Sequence, residues 1–272
     1  MKGKVEGVLS MSAQTTRGFY HDEILKLLKD LKENHGVVAI KAEFEAEGSR
    51  KDELIMLREF VYQADLGFII KIGGCEAVHD LDQCKLLDAT GIMAPMIETP
   101  FAMSKFKNAA KKVYGDQLKR VEWIINAETK TCLENYKEIM DEGDGFLTGV
   151  TVGRSDLSAS LGIERKDIES EPVFNATKKL VEESKAHHLV TNFGGNISVD
   201  SIPFIQKLSD QIDRFETRKV VISVKNDPEE IKSSIEAALR FELAYLQFKR
   251  EYYNTMATED LARIDSLKQR LL

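Results

Sequence analysis

The sequence predicts an α/β fold, a (β/α)8 TIM barrel with a long C-terminal helical extension, on three observations. Strand-like and helix-like stretches alternate in strict order from about residue 21 to residue 223. The strand-like runs are apolar along their length rather than half polar, as strands covered by helices on a parallel sheet must be. No GxGxxG fingerprint or P-loop marks the nucleotide site of the open doubly wound sheet that is the structural alternative. Seven strands are clear, and an eighth is expected from residues 4–11 or from a split of the long 146–156 run.

Each element has its own signal. HDEILKLLKDLKEN places Ile24, Leu27, Leu28 and Leu31 on one helical stripe, with Gly36 as its stop. GVVAIKAEFEAEG reads as a buried strand that leaves the core at Glu43, Glu45 and Glu47; side chains two apart share a strand face, so the three acids are expected to line up. A helix follows between Ser49 and Gly67, then the strand GFIIKIGG, a helix over 76–90 and the strand GIMAPMIETP. FAMSKFKNAAKKVYG is helical, RVEWIINAE a strand, TCLENYKEIMDEG a helix, and GFLTGVTVGRSD strand-rich. A helix over 171–187 leads to the strand HLVTNFGGN, and SIPFIQKLSDQIDRF leads to TRKVVIS. Asn226 or Asp227 caps a long helix with Pro228 in its first turn, and a second short helix, TEDLARIDSLKQRLL, is expected after it. The division is therefore a barrel domain over 1–225 and a helical extension over 226–272, packing on its own barrel or on a neighbouring subunit.

Composition narrows the function. The chain has 272 residues, 43% hydrophobic and 31% charged, enough for a sizeable core. A net charge of −7 argues against a nucleic-acid surface, and the basic cluster at 105–112 reads as a solvated helix face. Cys75, Cys84 and Cys132 are odd in number and lack CxxC spacing, which argues against a disulfide framework or a zinc site. The N-terminal residues lack a signal-peptide core and no run reaches membrane-spanning length, so the cytoplasm is the expected compartment and no membrane partner is expected.

The chemistry is expected at the C-terminal ends of the strands, where a barrel of this type carries its active site. IINAETKT and GFLTGVTVGRSD each end an apolar run at an acid, Glu128 in one and Asp156 in the other. Two carboxylates at neighbouring strand ends repel unless a cation or proton intervenes, and a hard divalent ion such as Mg²⁺ or Mn²⁺ removes that repulsion. Either acid alone is equally a helix cap or a surface ion pair. Lys71 ends another strand and can set its charge on a substrate oxygen or simply pair with an acid. Gly153 permits close backbone approach, and the amides of 153–156 are placed to meet a carboxylate, although Asp156 followed by Leu-Ser-Ala-Ser is also a good helix start. Gly194-Gly195-Asn196 holds an oxyanion or makes a tight turn. His79 and Cys75 lie near the predicted mouth, where surface and packing roles suit them.

Together, KIGGCEAVHDL, GIMAPMIETPFAMSKF, INAETKT and VGRSDLSASLG resemble, in order, the motifs of the HpcH/HpaI aldolase and citrate lyase β-subunit superfamily, across roughly residues 37–225. The resemblance implies a TIM barrel, often in homo-trimers or hexamers, that binds Mg²⁺, Mn²⁺ or a similar ion and handles pyruvate-like enolates. It implies Glu128 and Asp156 as metal ligands, and the backbone at Ser155 and Asp156 as the holder of the pyruvate carboxylate. Two departures stand out. The hydroxy-acid aldolases carry an Asp-x-Glu-His pattern where this chain has EFEAEG, so Ala46 replaces the proton-transferring histidine and Glu45 or Glu47 is left to act. Lys71 stands where the family has an arginine, keeping the charge but losing the bidentate fork. Arg154, where many of these aldolases have proline, is a candidate contact for a distal carboxylate or phosphate.

The reading that follows is a metal-dependent carbon–carbon lyase: reversible aldol cleavage or condensation of a small-molecule 2-oxo acid, with pyruvate as the common product or donor. Lys71, Glu45 and Glu47 are its catalytic candidates. Alternatives are an acyl-CoA lyase of the citrate lyase β type, a Schiff-base aldolase using Lys71 or Lys41, and a non-catalytic barrel that binds pyruvate-like ligands.

Overall fold

The computed structural model describes residues 13–271, with side chains from His21 onward. Eight strands close a barrel in chain order: β1 (Val37–Glu43), β2 (Gly67–Lys71), β3 (Gly91–Ala94), β4 (Glu122–Ala127), β5 (Gly149–Gly153), β6 (Val190–Gly194), β7 (Arg214–Glu216) and β8 (Val220–Ser223). Around them run α1 (Ala13–Asn34), α2 (Lys51–Gln63), α3 (Val78–Leu86), α4 (Pro100–Tyr114), α5 (Lys130–Glu134), α6 (Tyr136–Gly143), α7 (Arg154–Ser160), α8 (Glu171–Ala186), α9 (Ile202–Leu208) and α10 (Pro228–Leu271). The alternation read from sequence is thus a TIM-type barrel.

The eighth strand has a different origin from either expectation. Residues 4–11 lie outside the described residues, and the 146–156 run forms the single strand β5. Instead β7 and β8 make a hairpin, and β8 runs antiparallel to both β7 and β1 while β1–β7 pair in parallel. The cause is chain length: only Thr217, Arg218 and Lys219 separate the two strands, and a parallel crossover needs a dozen or more residues. The turn is fastened by Thr217, whose N–H donates to the Val220 carbonyl and whose hydroxyl accepts from the Val220 N–H.

The barrel interior is layered. Ala39, Ile69, Met93, Ile124 and Val221 form a small apolar floor. Two residues further along β1, β2, β4 and β5 the inward positions become Lys41, Lys71, Asn126 and Thr151, all buried. Period-2 alternation therefore sets a polar layer on an apolar one, and the site sits at the C-terminal end. The main core lies outside the sheet, between strands and helices, and includes Trp123, Phe106 and Phe146 in mutual ring contact.

Two expectations need correction here. β1 ends at Glu43, so the shared-face rule lapses before Glu45 and Glu47, and the three acids do not form one row. The C-terminal extension is one 44-residue helix rather than two, α10 running unbroken through TEDLARIDSLKQRL. Its first half is fixed by buried Ile231, Ile235, Ala238, Phe241, Tyr245 and Phe248, while residues 254–271 are exposed. Among the described residues no helix is long and apolar enough to cross a membrane.

Candidate active site

The strand ends open into a cavity of about 610 Å³, in the range of small-molecule sites. Its wall carries six carboxylates (Glu43, Glu45, Glu128, Asp156, Glu216, Glu242) against four cationic side chains (Lys41, Lys71, Arg165, Arg218). The wall is therefore acidic on balance, and each carboxylate's partner decides what it is free to do.

Glu128, 1% exposed, follows β4 at the inward position two after Asn126. Its Oε2 accepts from Asn126 Nδ2 at 2.6 Å and faces Lys71 Nζ at 3.5 Å, and its Oε1 accepts from the Met96 N–H at 3.1 Å. Burial pushes its carboxyl above the ordinary carboxylate range, and the negative charge of Asp156 adds to that, against the pull of Lys71, Met96 and Asn126. Asp156 is exposed at the start of α7 and has no ion pair among the described residues. The two acids thus face one space, one buried and anchored, the other free.

Lys71 ends β2. Its Nζ lies 2.6 Å from Glu45 Oε2. Burial by itself would lower its pKa, yet Glu128, Glu45 and Glu43 hold it above the ordinary lysine value. It is an ammonium, suited to neutralise a substrate oxygen and unsuited to attack a carbonyl as a free amine. Lys41 is likewise committed, ion-paired with Glu216, which also accepts from Asn192 Nδ2 at 2.5 Å. The Schiff-base reading loses its nucleophile on both counts.

Glycine shapes the wall between β5 and α7. A Cβ on Gly153 would lie 2.7 Å from Glu128 Oε2 and 2.9 Å from Glu128 Cβ, so only glycine lets the strand end pass the buried acid. At Gly195, φ is +92°, and a Cβ would sit 2.6 Å from the Ser155 nitrogen and 3.1 Å from that of Arg154. The missing Cβ leaves an open cradle in front of first-turn amides, which have no intrahelical acceptor.

The structure brings Glu128, Asp156, Lys71, Glu45, Gly153 and Ser155 to this cavity, and separates two other predicted residues from it. Arg154 is fully buried and turned away from the cavity. Its guanidinium donates to the Gly194 and Gly195 carbonyls at 3.2 and 3.0 Å and to Glu169 at 2.8 Å, and lies against the Phe193 and Phe204 rings. With its donors engaged there, it is not the contact for a distal anion; it ties the start of α7 to the loop after β6. Glu47 is ion-paired with Arg218 and Lys219 outside the cavity wall, because the chain turns after Glu43 and carries it toward the β7–β8 turn. His79 and Cys75 do not line the cavity.

Sequence reading named Lys41 only as a Schiff-base candidate and missed Asn126, Thr151, Glu216, Arg218 and Glu242 on the wall. For Asn126 a signal was present, since it shares a strand face with Glu128 two residues on. Glu216 and Arg218 belong to an unforeseen hairpin, and Glu242 to a helix read as packing only.

The donor set suits a hard divalent ion. Glu128 and Asp156 supply anionic oxygens, and the buried Oδ1 of Asn126, which bonds Glu128 through its Nδ2, has no hydrogen-bond partner among the described residues. Among the described residues no group of three or more His, Cys, Asp or Glu is poised for a metal, so an ion here would complete its shell with water and substrate oxygens, as Mg²⁺ commonly does.

Comparison with known proteins agrees with this architecture. The family model for HpcH/HpaI aldolase/citrate lyase matches residues 44–193. An HpcH/HpaI aldolase from Desulfitobacterium hafniense DCB-2 superposes with a TM-score of 0.60 at 14% identity, over 73% of this chain and 82% of that one. An HpcH/HpaI aldolase/citrate lyase family protein from Burkholderia cenocepacia J2315 gives 0.58 at 13% identity, over 75% and 92%. The citrate synthase SbnG gives 0.56 at 16%, over 80% and 88%. No curated protein shows a significant sequence match. At these identities the structures speak for the fold, whereas the family model spans more than half of the sequence: the chain belongs to the HpcH/HpaI aldolase/citrate lyase family.

Proposed function

We propose that the protein is a divalent-metal-dependent carbon–carbon lyase that cleaves, or forms by aldol addition, a 2-oxo acid with pyruvate as the common fragment. The observation that carries this reading is the buried Glu128 facing free Asp156 beside the charged Lys71, at the C-terminal end of the barrel. Glu128 and Asp156 would hold Mg²⁺ or Mn²⁺, and the ion, when bound, supplies a Lewis acid for the 2-oxo group. The chain does the rest. The missing Cβ at Gly195 leaves room in front of the Ser155 amide, and the backbone at Ser155 and Asp156 would receive the substrate carboxylate. Lys71 sets an ammonium against the ketone oxygen as negative charge grows there. Glu45, ion-paired with Lys71 and only partly buried, is placed to move the proton of the methyl carbon.

Support for the acyl-CoA alternative is weaker, because CoA phosphates call for a basic groove and this cavity is acidic on balance. A cytoplasmic homo-oligomer, trimeric or hexameric, is part of the proposal; Cys75, Cys84 and Cys132 are all free thiols, as suits a reducing compartment.

The test is solvent exchange. With Mg²⁺ or Mn²⁺, pyruvate in deuterated water should lose its methyl proton signal, and Glu128→Ala should abolish both that exchange and metal binding. Failure of the wild type to exchange with either metal would favour a non-catalytic binding barrel, and undiminished exchange in Glu128→Ala would remove the assigned ligand.

A further inference from the structure

Aldol chemistry needs a second proton position, one that serves the oxygen of the aldehyde fragment. β4 and β5, which deliver Glu128 and Asp156, stand opposite β8 and β1 in the closed strand order. On that opposite side α10 presents Leu239 and Glu242, one helical turn apart, to the cavity. The placement is rigid: Ala238, Phe241 and Tyr245 on the same stretch are buried, and the Tyr245 hydroxyl donates to the Glu53 carbonyl at 3.3 Å.

Glu242 differs from the other carboxylates around it. Glu43 and Glu47 are paired with Arg218, Glu45 with Lys71 and Glu216 with Lys41. Glu242 is half-buried with no hydrogen bond or ion pair among the described residues. The groups that reach it electrostatically are Lys219 and Arg218 from the β7–β8 turn, Glu47 after β1, and Lys41 on β1.

We propose that Glu242 is the group that carries the proton of the aldehyde-derived oxygen, taking the place across the barrel that Ala46 cannot fill. In cleavage its carboxylate takes the proton of the carbinol O–H four carbons into the 2-oxo acid. That C–O becomes the aldehyde carbonyl, and the electron pair of the breaking C3–C4 bond moves into the enolate of pyruvate. In addition the carboxylic acid returns the proton to the new alkoxide, so no oxidant or reductant is required. Burial, outweighing Lys219 and Arg218, holds the Glu242 carboxyl above the ordinary carboxylate range, as suits a group that must both take and give a proton. This inference rests on the enolate reading above.

Two reactions separate the two claims. Methyl exchange of pyruvate reports enolate formation at the Glu128–Lys71 side alone; addition of pyruvate to glyoxylate or glycolaldehyde with Mn²⁺ needs the second proton as well. Glu242→Gln, nearly the same shape, is expected to slow addition by about 10²-fold or more, and to leave exchange and Mn²⁺ affinity within about threefold, with Glu242→Asp recovering part of the rate. Addition unchanged in Glu242→Gln overturns the inference. So does an equal fall in exchange and addition, which would make Glu242 structural, and so does a wild type that exchanges but adds to neither aldehyde. A wild type that does not exchange overturns the enolate reading itself.

Discussion

Glu128 is held in place by neighbours rather than by solvent, and under the proposed function its protonation would set the pH range of metal binding. Its carboxyl lies above the 4.5 of an ordinary glutamate because it is buried and faces Asp156. A metal needs the ionised form, so affinity should be full well above that value and fall as pH drops through the raised pKa, before an ordinary carboxylate would titrate. Mn²⁺ titrations by calorimetry between pH 5 and 8 check this, and a flat affinity down to the ordinary value would contradict it. Gly153 acts at the same atom. Gly153→Ala drives a Cβ into Glu128 Oε2, so Mn²⁺ affinity should fall at least about tenfold while the fold persists, the clash amounting to about 1–3 kcal/mol of overpacking. For Arg154 the predicted effect is on stability. Replacing it by Met leaves Glu169 with the Ser201 hydroxyl in place of its ion pair and leaves the Gly194 and Gly195 carbonyls short of donors, at a cost of about 3 kcal/mol. Urea unfolding measures that loss, and a change below about 1 kcal/mol would leave the guanidinium with a different job.

Elements were legible where periodicity ran its full length and obscure where a short segment broke it. β1, β2, β4 and β5 announced themselves as apolar runs ending at polar residues, which is why Lys71, Glu128 and Asp156 could be placed from sequence. β7 is three residues long, too short to show a period, and its hairpin with β8 exists because three turn residues cannot form a crossover. That hairpin delivers Glu216, Thr217 and Arg218, so their share of the wall was hidden with it. In α10 the polar stretch around Asn254–Thr258 looks like a fresh cap, yet the Thr255 and Thr258 hydroxyls bond back to the Glu251 and Asn254 carbonyls and the helix runs on. The same helix is clamped to α2 through Glu53, which accepts from Lys249 at 3.0 Å, from the Tyr253 hydroxyl at 2.6 Å and from the Arg50 N–H at 3.3 Å. Burial would raise the Glu53 pKa, but Tyr253, Lys249 and Arg50 together bring it below 4.5. An acid with a depressed folded pKa stabilises above its unfolded value and loses that contribution as pH falls through the folded one. Glu53→Gln should therefore cost about 2 kcal/mol at pH 7, with the difference from wild type shrinking as pH falls through the depressed folded pKa of Glu53; a pH-independent difference would mean the charge is not what matters.

At the scale of the whole molecule the barrel does not use all of its C-terminal helix. At about 1.5 Å per residue α10 spans about 66 Å, and only its first half is buried against the rest of the chain. Beyond it Leu261, Ile264 and Leu267 are 61%, 44% and 40% exposed, three and six residues apart and so close to one helical face. A monomer would leave this face in water, where an amphipathic helix gains little from its apolar residues. The proposed homo-oligomer gives it a partner through a symmetric contact between copies. Replacing Leu261, Ile264 and Leu267 together by Asp or Lys should leave the barrel's unfolding midpoint within about 2 °C, because these side chains touch none of the core, while removing about 1.5–3 kcal/mol of apolar burial per residue from any association they serve. Light scattering after size exclusion then decides the matter. A wild type larger than one chain and a triple variant reduced to a smaller assembly would place the interface on this tail, whereas an unchanged mass would put the contact between subunits elsewhere. Retained pyruvate exchange in the smaller species would further show that each barrel holds a complete enolate-forming site of its own.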